Sequence, residues 1–144
     1  MATTTITNNA RRDFGNGRID LANDTLKWAL YNGSGHNANT TVYTTVNEAS
    51  GTGYTAGGVT AAGATNATDT SNNVSYWDWT TNPQWTSSTI TATDIMLWDD
   101  TVTTPDADVA IYIGDFGGSN STSNGTFLVT LPTAAHNTAL LRFA

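Results

Sequence analysis

Three observations predict an all-β fold, a single-domain β-sandwich or small barrel of roughly seven to nine strands. Apolar residues recur with a period of two, most clearly where Leu26, Trp28 and Leu30 alternate with Lys27 and Ala29. Short β-branched and aromatic runs are punctuated by Gly, Asn and Pro at the spacing of turns. No run reads as a helix of ordinary length.

In chain order, residues 1–13 are expected to form an extended N-terminal arm before one domain at 14–144. Met1 to Asn9 is rich in Thr and Asn, with Ile6 as its core-type residue, so it should order only against a neighbour. Phe14-Gly15-Asn16-Gly17 is a turn signal, and Asp24 to Tyr31 follows as the strongest strand of the first half. Thr41 to Val46 reads as a second strand from its β-branched content. Val59 to Ala62 is a short strand, and Gly63 to Asn73 a polar loop. Val74 to Thr80 is a strand turned by Asn82-Pro83. Thr89 to Trp98 alternates, but its phase slips near Thr93-Asp94, which predicts a bulge or break. Val109 to Ile113, Thr126 to Leu131 and Leu140 to Phe143 complete the set, with Ser119 to Gly125 as a hairpin-type connection.

Charge and composition narrow the function. The chain of 144 residues carries net charge -7 and contains no Cys, which excludes a disulfide framework and a thiolate metal site. Such an acidic protein repels phosphates, so no nucleic-acid partner is expected. No run approaches the length of a membrane span and no export signal is visible, so no membrane partner is expected either. Charged residues make up only 12% of the chain; hydroxyls and amides must wet the surface. The adjacent basic pair Arg11-Arg12 can meet an acidic partner, although a solvated terminus is the simpler reading.

The stretch from Asn47 to Val59 holds Gly51, Gly53, Gly57, Gly58 and a lone aromatic, Tyr54. It lacks the G-x-G-x-x-G order and a following helix, so it reads as a structural loop with Tyr54 as anchor rather than a phosphate cradle. Glu48, the only Glu, is expected to accept hydrogen bonds from backbone N–H groups there rather than to act as a glycosidase carboxylate. His36 and His136 lack metal-ligand spacing and read as surface residues. Asp99, Asp100, Asp106 and Asp108 offer hard oxygens, but not in a calcium-loop spacing. Trp77, Trp79, Trp85 and Trp98 are read first as core, and alternatively as a stacking platform for sugars. No catalytic residue, metal or cofactor is expected.

Several blocks carry a resemblance: Asp24 to Tyr31, Asn47 to Gly58, Ala92 to Thr101, Ile113 to Gly118 and Asn124 to Phe127. Together they resemble small structural proteins of tailed bacteriophages, best of all head decoration (cement) proteins, and Ser-Gly-x-Gly-Tyr-x-x-Gly-Gly at Ser50 to Gly58 is the most specific part. The likeness runs from about Phe14 to Phe143. The Thr-rich start and the segment Trp77 to Trp85 have no counterpart in it, and no functional residues carry over. The resemblance implies a β-sandwich-like fold without enzyme activity, made in the host cytoplasm. It implies assembly with the major capsid protein on the outer surface of the capsid, commonly as a homotrimer at local three-fold positions. Thr3, Thr4, Thr5, Ile6, Arg11 and Arg12 are then the candidate capsid contacts. The alternative is a tail- or fibre-associated carbohydrate- or receptor-binding module using exposed tryptophans.

Overall fold

The computed structural model describes residues 1–144, the side chain of Thr3 excepted. Ten strands and one short helix follow in order: β1 (Thr3–Ile6), α1 (Asn8–Gly15), β2 (Leu26–Tyr31), β3 (Val59–Thr60), β4 (Ala64–Asp69), β5 (Val74–Trp79), β6 (Gln84–Ser88), β7 (Thr91–Asp99), β8 (Ala110–Ser121), β9 (Gly125–Leu128) and β10 (Leu141–Phe143). The all-β expectation holds, with one strand more than its upper count. Among the described residues no helix is long and apolar enough to cross a membrane.

A five-stranded antiparallel sheet runs in the order β1-β8-β7-β2-β3, and a three-stranded sheet β10-β5-β4 and a two-stranded sheet β6-β9 accompany it. The alternation in β2 sets which side faces which layer. Trp28 and Leu30 join Ile95 and Leu97 of β7 in the main core, where they meet Trp79, Trp85, Phe127 and Leu141 of the smaller sheets. The opposite face of the large sheet buries Ala29, Tyr31, Met96, Trp98, Ala110 and Ile113 under Tyr43. Both faces of the central strands are therefore dry, which is why β7 is buried almost throughout.

The phase slip near Thr93-Asp94 is a break in register. Ala92 lies opposite Asn120 while Asp94 lies opposite Asp115, so residues 116–119 of β8 swing out, helped by Gly117 at φ 77°. A second irregularity sets Leu97 opposite Tyr112 and Trp98 opposite Ala110, leaving Ile111 as the extra residue. Ile111 and Tyr112 consequently both enter the main core.

Four expectations need correction. Thr41 to Val46 is not a strand: only Val42 bridges, to Val109, and the segment serves as a cover that lays Tyr43 on Trp98. Within Gly63 to Asn73 lies β4, paired with β5 along its whole length. Its side chains are mostly exposed, so no apolar alternation marks it. Ser119 to Gly125 does not close a hairpin, because β8 pairs with β7 and β1 while β9 pairs with β6. The segment read as an arm is extended at Thr3–Ile6, but it orders against β8 of its own chain and continues into α1 across the expected boundary at 13/14.

Candidate functional site

The glycine-punctuated loop is built around one carboxylate. Glu48 Oε1 accepts from the Tyr54 hydroxyl at 2.8 Å and from the Gly57 N–H at 2.7 Å, and Oε2 accepts from the Tyr43 hydroxyl at 2.7 Å. Tyr54 in turn accepts from the Leu30 N–H at 3.0 Å and stacks on Trp85 with ring centroids 5.8 Å apart. Trp98 Nε1 donates to the Gly57 carbonyl at 3.2 Å, and Tyr43 stacks on the Trp98 ring at 4.3 Å. The loop is thus tied to both cores at once. Burial first, and then the adjacent Glu48 carboxylate, hold the Tyr43 phenol above its ordinary range; burial likewise raises Tyr54. Both phenols stay protonated and serve as donors. Glu48 is an acceptor for a backbone N–H as expected, and the two tyrosine donors are additional.

Two glycines explain why the loop can lie so close to the strands. A Cβ on Gly58, at φ 79°, would overlap the Trp28 carbonyl, and one on Gly51, at φ 131°, would overlap the Thr89 carbonyl. Only a residue without a side chain fits either place. At Gly53 the nearest backbone atom would stand 2.9 Å from the added Cβ, while Gly57 keeps room and supplies the N–H that Glu48 accepts.

The N-terminal candidates separate into two groups. Thr3, Thr4, Thr5 and Ile6 form the edge strand β1, in register with Asp115 back to Tyr112. Thr7 is fully buried and caps α1, its hydroxyl accepting from the Ala10 N–H at 3.1 Å. Arg12 is committed within the chain: it pairs with buried Asp13 at 2.8 Å and with Asp106 at 3.0 Å, tying α1 to the loop after β7. Arg18 adds a contact to Asp13 at 3.3 Å, and these hydrogen bonds outweigh burial to hold the Asp13 carboxyl below its usual range. Arg11 is exposed and makes no ion pair among the described residues, so it remains available to a partner.

The other candidates are dispersed. Asp99 is fully buried, accepts from the N–H groups of Thr101 and Val102, and is pushed up to about 6 by burial together with the neighbouring Asp24 carboxylate. Asp100 pairs with Lys27 at 2.7 Å and Asp106 with Arg12. Among the described residues no three His, Asp or Glu side chains are grouped as a metal ion would need. His136 meets Asp69 at 3.3 Å. His36 is not a simple surface residue: it packs against Tyr31 and meets Asp94 at 3.2 Å, where Ser34 and Thr93 also donate. Trp79, Trp85 and Trp98 are buried, as is Trp28, and Trp77 is packed against the core. Trp77 is the one of the four candidates left half-buried, where it lines an open cleft with Phe14 and Phe143.

Sequence reasoning missed the Tyr43 bond to Glu48, the Arg12 bond to Asp106 and the cap at Thr7. Only the last had a local signal, a Thr placed just before Asn-Asn-Ala-Arg-Arg. Comparison with protein-family models, with curated proteins and with solved structures found no match.

Proposed function

We propose that the chain is a non-enzymatic structural protein of a tailed-bacteriophage virion, a head decoration (cement) protein. On this reading it binds the outer head surface, contacts the major capsid protein and clamps neighbouring capsomers, with copies grouped as trimers at local three-fold positions. The observation that carries the reading is the block Ser50 to Gly58, the most specific part of the resemblance, whose Tyr54 hydroxyl and Gly57 N–H are spent on internal ties. Tyr54, Gly57 and the adjoining Glu48 bond to one another and to β2. A part built this way persists; its usefulness lies in holding shape while its surface engages a repeating lattice. Modest contacts by each copy multiply when several copies engage at once.

The contact residues proposed are Thr3, Thr4, Thr5, Ile6 and Arg11, an edge strand followed by an exposed cation, while Arg12 acts through the stability of α1. The test is co-sedimentation of the recombinant chain with expanded, undecorated heads, followed by heating. Saturable binding with raised heat resistance is expected. Absence of binding at every maturation stage would overturn the reading.

A further inference from the structure

The sheet β10-β5-β4 leaves one aromatic corner open. Leu141 lies opposite Trp77 and Phe143 opposite Ser75, so Trp77 and Phe143 are diagonal neighbours on one face of the sheet. Leu141 on that face is fully buried, whereas Trp77 is half-buried and Phe143 is 40% exposed. The end of α1 brings in a third ring: Phe14 stands at 87° to Phe143, with ring centroids 5.4 Å apart. The three rings border an open cleft of about 420 Å³, which Ile19, Asp20 and Leu21 of the turn after α1 also line.

Apart from the Trp77 indole N–H, Asp20 supplies the one polar side chain of that lining. The Asn23 amide at 2.7 Å and the Ala22 N–H at 3.0 Å hold its exposed carboxyl below the usual carboxylate range, so it is charged. The neighbouring cations are engaged elsewhere. Arg18 pairs with Asp13 at 3.3 Å, and Arg142 alternates to the opposite face of β10 and donates to the Asn137 carbonyl at 2.7 Å.

These contents select a class of ligand. A sugar needs several convergent polar partners, and the lining offers one carboxylate and one indole N–H. A guanidinium seeks both oxygens of a carboxylate in a fork, and both Asp20 oxygens already accept a bond. A primary ammonium is strongly hydrated and needs acceptors that rings do not supply. A quaternary ammonium has no N–H to satisfy; it needs ring faces and a nearby negative charge, and the cleft presents both. The net charge of -7 favours a cation further. Of the large apolar side chains that are exposed, only Phe143 borders the cleft, too little to seat it in a bilayer.

We propose that the corner formed by Phe14, Trp77 and Phe143 with Asp20 is a binding site for a soluble compound carrying a trimethylammonium group. The cation rests against the rings and faces the Asp20 carboxylate. The site is independent of shell binding.

The experiment is a nuclear magnetic resonance titration of the isotope-labelled full chain with choline, beside the neutral isostere in which a tert-butyl group replaces the trimethylammonium. Choline should give saturable shifts at the Trp77 indole N–H and at the Gly17 and Asp20 amides, and the isostere should bind about tenfold more weakly. Asp20→Asn should erase that difference, and Phe143→Leu should weaken choline binding about fivefold or more. Both positions are exposed, and circular dichroism melting checks that the variants stay folded. Absence of saturable shifts at these positions, equal binding of the isostere, tighter binding of arginine amide, or choline binding that both variants leave intact would overturn the proposal. Co-sedimentation with phosphatidylcholine vesicles would overturn the assignment to a soluble ligand. Heads are absent from these assays, so their failure is distinct from failure of the shell-binding reading.

Discussion

For single residues, the stability of the loop rests on Glu48 and on the glycines that let it lie against the strands. Glu48→Gln replaces one acceptor oxygen by a donor, so one of the Tyr43, Tyr54 and Gly57 donors loses its partner. The expected cost is about 2 kcal/mol, measured by urea unfolding, with the fold retained. Gly58→Ala meets the Trp28 carbonyl and a positive φ together, and should cost about 3 kcal/mol or abolish folding. Asp99 gives a pH dependence of defined sign. Its folded pKa of about 6 lies above the unfolded value near 4, so the folded state binds more protons between the two. Its contribution to stability is fully present below about pH 4 and is lost as pH rises through about 6. Asp99→Asn keeps an oxygen for the Thr101 and Val102 N–H groups and removes the charge. It should therefore raise the melting temperature at pH 8 by several degrees more than at pH 4. Equal shifts at both values would show that Asp99 does not carry the proton.

At the scale of elements, what could be read in advance depended on whether a strand has a dry face. β2 and β5 announced themselves because Trp28, Leu30, Trp77 and Trp79 fall at alternate positions against a core. β1 and β4 are edges made mainly of Thr, Ala and Asn, with no apolar pattern to betray them, and pairing with β8 and β5 decides their state. Thr41 to Val46 shows the reverse error: β-branched residues there cover the back of the large sheet instead of extending it. In the candidate site, Glu48 and Tyr54 were legible as the lone acid and lone aromatic in a glycine-rich run. The bond from Arg12 to Asp106 spans 94 residues of sequence and left no local trace. The cap makes its own prediction. Thr7→Ala loses the bond to the Ala10 N–H and should lower stability by about 1 kcal/mol, with hydrogen exchange rising first in α1.

At the scale of the whole molecule, a large sheet covered on both faces and a loop clamped to both cores make one stiff body. Its free features lie at the periphery: the β1 edge, the β9 edge, and Arg11, which makes no ion pair among the described residues. That division suits a part whose work is to stay folded on a lattice and to meet neighbours at its margins. Deleting residues 1–6 should lower affinity for heads while leaving the Glu48 network intact, which tyrosine fluorescence and melting can follow separately. On the proposed reading this chain sits on the head. Cryo-electron microscopy of the virion, with the chain identified by a bound antibody fragment, should then show label on the outer head surface at local three-fold positions; label confined to the tail, or none on the particle, would overturn that reading.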